Sequence, residues 1–552
     1  MTSASEPVSQ KNLTWRTPEL AAICVITAVY MVWVLSLPSF PTQDGPIHLY
    51  YTHVLKALFS NQSSVYAEFY RVKHLLPPYA LYYYALLGLS HFVPLLVADK
   101  IVVCVYVVSF VFGFRYLARV LGPNADAMTL FATVVLLNWP LGMGFVNFCL
   151  SVSFAFWAIG LWLRFAGQAG VGSRILFVVL AIVAMFTHPV PLLAILGFAG
   201  LELALRVVRQ RRAWRSLPFF ALDVATLFVA ACTLAYVKLF TVSRPLQQTA
   251  VDHPSEGTAA VIAHNIVNYT AEKGVAFLLG PGLGPRAYRV ILLIGLLVPL
   301  AIAVRQLIRN WRGRSWTRAD GALVLTVAAI IMMPFIPHDL NGSHFFAERL
   351  LLFVWIFPMF AASGGSEWGL RARLSVIGVV VISQAIILTV ANAKLRPAAA
   401  AIAAADTASG QIVARPGEVG LVVEDARPAE GSSALSFNPF LWGAVNVLRH
   451  DDAVMANTPW LDLAIIPLGA GPELPIDGLK PEELEFPSIL RRDLMNEPAL
   501  RERLLSTVDF VLIQQAGRPP TEDSDPLFAG VAEHWSCRTP ELNWVKVCLA
   551  AR

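Results

Sequence analysis

The chain has 552 residues, of which 56% are hydrophobic and 14% are charged. Soluble domains usually carry about a quarter charged residues, so this composition excludes a soluble globular protein and indicates an integral membrane protein. The net charge of +5 conceals an asymmetry: residues 1–394 hold 29 Lys and Arg against 15 Asp and Glu, and residues 395–552 hold 13 against 22. Because no basic run is interleaved with aromatic residues outside the apolar segments, we expect no nucleic-acid partner.

Apolar segments of about 20 residues, the length needed to cross the hydrocarbon core, recur along residues 19–394. The first follows Lys11 and Arg16, and no small-residue cleavage site comes after it. We therefore predict an uncleaved anchor rather than a signal peptide, with residues 1–18 as a cytoplasmic N-terminus. The candidate spans are 19–38, 77–98, 99–119, 126–142, 145–164, 174–187, 189–207, 216–240, 288–308, 319–337, 346–365 and 374–393.

The basic loops predict the orientation, because loops rich in Lys and Arg stay in the cytoplasm. Loops 206–215 and 309–318 are the most basic. They and the N-terminus cannot all be cytoplasmic if all twelve candidates cross. Segment 77–98 is rich in Tyr and begins with a proline pair, so we predict that it lies at the interface without crossing; a merged crossing over 126–164 is the alternative. The result is about eleven transmembrane helices with a long outward first loop, 39–98.

The C-terminal region has a different composition. Its alanine-rich start, 395–410, is typical of a linker, and residues 411–552 predict an extracytoplasmic α/β domain. Within it, LVVEDA and VDFVLIQQA predict buried strands, and two amphipathic helices are predicted at 480–494 and 497–507. No Gly-rich phosphate loop occurs there, so we expect no catalysis in this domain. Outside the cytoplasm, Cys537 and Cys548 are expected to form a disulfide that closes a hairpin-like loop.

The residues suited to chemistry lie in the loops predicted to face outward. Asp44 follows the first span by six residues and precedes Gly-Pro, so it is either a helix cap or a functional carboxylate. His188 precedes a proline, which is also compatible with an ordinary helix break. Arg349 enters the outer leaflet, where it either faces a cavity or extends its charge to the interface. The candidate substrate-binding residues are His48, Asn147, His188, His344, Glu348 and Arg349.

A metal site is the less favoured interpretation of the same loops. His338, Asp339 and His344 share one loop, but their spacing is not that of a reliable set of metal ligands. We therefore predict no cofactor, with a divalent metal as the alternative.

The acid after the first span, the long outward loop, about eleven spans and an outward C-terminal domain together resemble the GT-C class. These are integral-membrane glycosyltransferases that use polyprenyl-phosphate sugars, such as protein mannosyltransferases and lipid A aminoarabinose transferases. The resemblance covers residues 15–395 as architecture. At residue level it depends on Asp44 and, more weakly, on the pair Pro77-Pro78 before an aromatic segment and on Arg349.

The resemblance implies a function and two residue roles. In this class the acid of the first loop acts as base on the acceptor or orders a metal, and a late basic residue holds the lipid phosphate; these roles fall on Asp44 and Arg349. Many members have paired acids in the first loop, whereas Gly45 follows Asp44 here, which argues against a metal-dependent variant. We expect transfer of a sugar from a polyprenyl-phosphate donor to a glycan, lipid or protein acceptor at the outer face of the inner membrane.

Two alternatives remain open from the sequence. One is a transporter of a lipid-linked substrate, which predicts charges at mid-membrane depth and an internal repeat. The other is a non-catalytic scaffold of an envelope polysaccharide system, which places no demand on Asp44.

Overall fold

The computed structural model describes most of the apolar part of the chain and five short strands near its C-terminus. The described helical part covers 18–42, 45–60, 72, 76, 79–165, 170–209, 217–241, 286–313, 316–335 and 346–409. The strands cover 419–425, 454–455, 510–515, 535–538 and 545–550. All structural statements below concern these residues.

Fourteen α-helices make up the described helical part. They are α1 (Pro18–Ser36), α2 (Gly45–Phe59), α3 (Ala80–Leu89), α4 (Leu95–Leu121), α5 (Ala125–Thr133), α6 (Trp139–Met143), α7 (Val146–Phe165), α8 (Val171–Thr187), α9 (Val190–Arg209), α10 (Leu217–Thr241), α11 (Arg286–Arg312), α12 (Arg318–Met332), α13 (Phe346–Ser363) and α14 (Leu370–Ser409). A short 3₁₀ turn, Met333–Phe335, follows α12.

The chain is a multi-pass membrane protein. Within the described residues, five helical stretches are long and apolar enough to cross a bilayer: Pro18–Ser36, Leu95–Leu121, Val146–Phe165, Val190–Val207 and Leu370–Ala393. Four shorter apolar helices accompany them: Ala80–Leu89, Val171–Thr187, Phe220–Thr233 and Arg349–Ser363. The count of eleven transmembrane helices therefore stays a prediction.

The predicted span 126–142 is not one helix. Helix α5 ends after nine residues, about 14 Å, at a series of tight turns over residues 134–136. The Asn138 side chain accepts the Leu141 N–H at the start of α6 and donates to the Val135 carbonyl, while the Tyr106 hydroxyl donates to the Leu136 carbonyl. These side chains satisfy backbone groups that the interrupted helix leaves without partners, as broken backbone at membrane depth requires. Sequence periodicity could not reveal the long-range bond from Tyr106.

Segment 77–98 is also interrupted. Helix α3 has ten residues, about 15 Å, which is half the thickness of the hydrocarbon core. A turn over residues 90–93 and Pro94 separate it from α4. A helix of this length cannot cross the membrane alone. This is compatible with the prediction that 77–98 lies at the interface. The sidedness of the chain stays a prediction.

Helix α4 is the centre of the apolar core and packs along α7. Phe110 and Phe114 on α4 meet Phe156 on α7 edge to face, with ring centroids 5.4 and 5.9 Å apart. Phe360 of α13 stacks on Phe114 at 4.2 Å. Interlocked rings of this kind hold three helices in one orientation.

Ion pairs join the helices at one end of this bundle, which we call the ion-paired end. It comprises the pairs Arg115–Asp126, Arg174–Asp223, Arg206–Asp223, Arg206–Glu202, Arg318–Glu202 and Arg373–Glu19. Several of these arginines flank the loops that the sequence predicts to be cytoplasmic. Buried charges require such pairing because an isolated ion in a low dielectric is costly.

Helix α14 has 40 residues, about 60 Å, and includes most of the predicted linker 395–410. Alanine has the highest intrinsic helix propensity, so the alanine run continues the helix instead of ending it. The Ala399 carbonyl accepts a hydrogen bond from the Ser39 hydroxyl, which places this extension beside the residues that follow α1. Its role as the connection to the C-terminal region stays a prediction.

The C-terminal strands form one mixed sheet in the order β2-β1-β3-β5-β4, with β1 Val419–Asp425, β2 Val454–Met455, β3 Phe510–Gln515, β4 Trp535–Arg538 and β5 Val545–Ala550. Strand β1 pairs in parallel with β2 and β3, and β5 pairs antiparallel with β3 and β4. Two of these strands coincide with the two predicted from sequence. The helices predicted at 480–494 and 497–507 lie outside the described residues, so the α/β class of this region stays a prediction.

Candidate functional site

Two of the predicted site residues, His188 and Arg349, are in direct contact. The Arg349 Nη1 atom lies 2.9 Å from Nε2 of His188, and the two residues are 6% and 1% exposed. They come from different helices, since Arg349 is in the first turn of α13 and His188 ends α8. We call this pair and its surrounding aromatic rings the arginine–histidine site.

The backbone around Pro189 holds the imidazole in place. Proline has no N–H, so Val190 supplies the first backbone donor of α9, and its N–H points to Nδ1 of His188 at 3.2 Å. The Ser151 hydroxyl of α7 lies 2.9 Å from the His188 carbonyl and 2.7 Å from that of Ala184. These bonds join α7, α8 and α9 at the site. The helix break inferred from His-Pro is thus present, and it also orients the ring.

Aromatic rings surround both members of the pair. The Phe145 ring lies under the Arg349 guanidinium, 4.4 Å from its centroid, in cation–π geometry. Phe148 and Tyr79 each meet the His188 ring edge to face, at 5.2 and 5.0 Å. These rings keep the local dielectric low, which strengthens any interaction of the guanidinium with a bound anion.

Tyr79 has an unusual backbone conformation. Its φ of 74° lies in the left-handed region, and it is the one described non-glycine residue with positive φ. A side chain with a Cβ atom is strained there by about 1–3 kcal/mol, and such residues cluster at functional sites. Tyr79 immediately precedes α3, so this backbone conformation directs the ring of an interfacial segment onto His188.

Asn147 lies between the two phenylalanines in sequence, at the start of α7. It is buried, and its side-chain oxygen accepts the Phe148 N–H at 2.8 Å. In the structure it therefore supports the first turn that carries the rings around the arginine–histidine site.

His48 is on α2, beside α3. Its Nδ1 lies 2.7 Å from the Tyr83 hydroxyl, and Tyr82 meets the ring edge to face at 5.6 Å. Burial lowers the pKa of His48 to about 4, so the ring is neutral at physiological pH. Tyr83 is on α3 and Tyr79 immediately precedes that helix, so α3 connects His48 to the arginine–histidine site.

Three residues on α3 and α4 were not singled out from the sequence. Lys100 donates to the Leu37 carbonyl at 2.8 Å, beside the end of α1. The neighbouring Asp99 is buried and accepts from the Tyr82 hydroxyl at 3.4 Å. The available signal was an acid and a base at the first positions of an apolar span, where ionisable residues are costly.

Three further predicted site residues cannot be placed in the site from the described part of the chain. Asp44 and His344 lie outside the described residues, and Glu348 is within α13 without a described side chain. Beside Asp44, the Gly45 N–H donates to the Thr42 hydroxyl at 3.1 Å, and Pro46 has no N–H. Two of the first four donor positions of α2 therefore require no cap from Asp44. Among the described residues, no group of three or more His, Cys, Asp or Glu is arranged to hold a metal ion.

The two C-terminal cysteines occupy opposing positions. In the register of β4 and β5, Cys537 is the direct partner of Cys548. Opposing residues of an antiparallel pair have Cα atoms about 4.5–5.5 Å apart, which is within the range that a disulfide spans. The disulfide itself stays a prediction.

Comparison with known proteins gives the fold. No family model matches the sequence, and a search of the curated proteins finds no match. Among solved structures, the chain is similar to ArnT from Cupriavidus metallidurans in the apo state, with a TM-score of 0.52 and 13% identity over 96% of this chain and 98% of that one. The structure of the same ArnT bound to undecaprenyl phosphate gives a TM-score of 0.49 and 14% identity over 96% and 97%.

The likeness to apo ArnT covers nearly the whole of both chains, so this protein has a GT-C-type membrane fold. The fold-level resemblance inferred from the sequence is confirmed. At 13% identity this likeness defines the fold and leaves the activity to be argued from the site.

Proposed function

We propose that this protein is a membrane glycosyltransferase that moves a sugar from a lipid-phosphate donor to a hydroxyl acceptor. The observation that carries the proposal is the burial of Arg349 against His188 among aromatic rings, in a GT-C-type fold. Ionisable residues at membrane depth tend to face a cavity or to bind charged groups, and the planar guanidinium is well suited to oxyanions.

In the proposed reaction, Arg349 holds the lipid phosphate that becomes the leaving group. As the bond between the anomeric carbon and the phosphate oxygen breaks, negative charge increases on the phosphate. A guanidinium fixed in a low-dielectric site stabilises that charge without reorganising. The Phe145 ring restrains the plane of the guanidinium, which favours two parallel N–H bonds to phosphate oxygens.

Asp44 is the proposed general base. The acceptor hydroxyl transfers its proton to the carboxylate as its oxygen bonds to the anomeric carbon, and the lipid phosphate departs with the electrons of the broken bond. The supporting observation is the local backbone: Thr42 and Pro46 reduce the number of α2 donors that an Asp44 cap would have to satisfy.

The proposed site faces the side opposite the ion-paired end. The basic loops favour a cytoplasmic position for that end, which leaves the arginine–histidine site at the outer face of the inner membrane. There, a polyprenyl chain stays in the bilayer while its phosphate reaches Arg349. The sugar and the class of acceptor (glycan, lipid or protein) follow from neither the fold nor the described side chains.

The test compares two carboxylates of the same loop, since Asp44 and Glu68 are the only acids between residues 39 and 98. Membranes containing each variant receive polyprenyl-phosphate sugars, and mass spectrometry measures the polyprenyl phosphate released. We expect Asp44→Asn to lower release by about 10²- to 10⁴-fold, the usual contribution of a general base. Glu68→Gln should keep wild-type activity. Full release by Asp44→Asn would refute the assignment of the base, whereas no release by the wild type would favour the scaffold alternative.

A further inference from the structure

The contacts of His188 contain a conflict that no protonation state of the ring resolves. Val190 directs its backbone N–H at Nδ1, and the Arg349 guanidinium directs an N–H at Nε2. A neutral imidazole has one acceptor nitrogen and one N–H, and an imidazolium has no acceptor. In either neutral tautomer, therefore, one N–H group faces another N–H group.

The imidazolium form would increase the conflict to two opposed pairs of donors. It is also disfavoured by the surroundings, because burial first, and then the charge of Arg349, hold the pKa of His188 well below its ordinary value. The ring is therefore neutral, and its single proton must be on one of two nitrogens that both face donors.

An oxyanion beside Nε2 removes the conflict. With the proton on Nε2, His188 and Arg349 both donate to the anion, and the free lone pair on Nδ1 accepts the Val190 N–H. All three donors are then satisfied in a site where unsatisfied polar groups are costly.

We propose that His188 is a neutral second donor to the lipid phosphate, and that phosphate binding replaces the direct Arg349–His188 contact and fixes the proton on Nε2. This inference rests on the proposed function for the identity of the anion. In this arrangement, His188 gives the leaving phosphate a hydrogen bond without adding a positive charge to that of Arg349.

Two substitutions separate the two nitrogens. The Asn side chain reaches the position of Nδ1, so His188→Asn keeps an acceptor for Val190 and removes the donor near the phosphate. The longer Gln side chain reaches the position of Nε2, so His188→Gln keeps that donor and weakens the contact with Val190. The predicted effects on binding and on stability are therefore opposite.

The experiment measures binding of farnesyl phosphate to the detergent-purified full chain, with farnesol as the uncharged control. We expect His188→Asn to weaken farnesyl phosphate binding by about 10- to 100-fold, since hydrogen bonds to charged groups have this effect, with little change in melting temperature. His188→Gln should bind within about threefold of wild type and melt a few degrees lower, as expected for the loss of a helix cap. Farnesol binding should be the same in all three proteins.

Two further results separate this inference from the proposed function. Between pH 6 and 8, the dependence of farnesyl phosphate binding on pH should be parallel in wild type and His188→Gln; a steeper dependence in wild type alone would show an imidazolium and overturn the inference. Equal losses in His188→Gln and His188→Asn would also overturn it. If the wild type binds farnesyl phosphate no better than farnesol, the proposed function fails as well.

Discussion

The groups that contact buried arginines differ between the two ends of the helical bundle. At the ion-paired end, Asp223 accepts from Arg174 at 2.6 Å and from Arg206 at 3.0 Å, and Glu202 accepts from Arg206 and Arg318, each at 3.2 Å. At the other end, the Arg349 guanidinium contacts a neutral imidazole and the face of a phenyl ring. The first arrangement joins helices, whereas the second is the site proposed to bind an anion. Burial of an arginine therefore indicates little about its role until its neighbours are known.

The largest effect on folding is expected at the ion-paired end. Asp223→Ala removes the carboxylate that contacts the buried guanidinium groups of Arg174 and Arg206. Removing one member of a buried ion pair typically lowers the free energy of unfolding by about 3–5 kcal/mol. We expect a large loss of folded protein in fluorescence-detected size-exclusion chromatography. Asp252→Ala, a change in another acid of the chain, is the control. Normal amounts of folded Asp223→Ala protein would contradict the structural role given to this end.

The arginine–histidine site should show the opposite behaviour. Arg349→Gln removes the charge proposed to stabilise the leaving phosphate, so we expect sugar transfer to fall by about 10²- to 10³-fold, the effect of losing one such donor. Because Arg349 is assigned to ligand binding, the melting temperature of the Arg349→Gln protein should fall less than that of the Asp223→Ala protein. If Arg349→Gln instead unfolds the protein as Asp223→Ala does, the contrast between the two ends is wrong.

The redox state of the two cysteines in the C-terminal sheet shows whether the sheet lies outside the cytoplasm. If Cys537 and Cys548 form a disulfide across β4 and β5, mass spectrometry without reduction should find their peptides linked. Loss of this bond in Cys537→Ser should lower the stability of the sheet by about 2–3 kcal/mol, the usual value for a loop of this length. The Cys24→Ser variant is the control in the helical part. Free thiols at both positions in protein isolated under thiol-blocking conditions would place the sheet in a reducing compartment.

Tyr79 should give the smallest effect. Tyr79→Gly removes the left-handed strain but also the ring against His188, while Tyr79→Ala removes the ring and retains the strain. We expect the glycine variant to be about 1 kcal/mol more stable than the alanine variant, and both to transfer sugar more slowly than Tyr79→Phe, which keeps the ring. Thermal unfolding and turnover of the three variants provide the measurement. Equal turnover in all three variants would show that the ring of Tyr79 does not contribute to the site.

Much of the site could be anticipated from the sequence, because charges in apolar segments are conspicuous. Arg349, His188 and Asn147 were selected as polar residues near the ends of predicted spans, and the first two are in contact. His48 was also selected from the sequence. In the structure it lies against Tyr83 on α3, the helix that follows Tyr79. Asp99 and Lys100 were missed because they were counted as part of a span.

The sequence alone determined the membrane class and the resemblance to the GT-C class, since each follows from composition and local pattern. Only the tertiary structure decided that 126–142 is a broken segment, because one of the hydrogen bonds that stabilise the break comes from the Tyr106 side chain on another helix. It alone also decided which arginines pair with which carboxylates and that Arg349 contacts the His188 imidazole. Hydrophobic periodicity is a property of neighbouring residues, whereas a buried charge can have its partner on another helix, as Arg174 and Asp223 do.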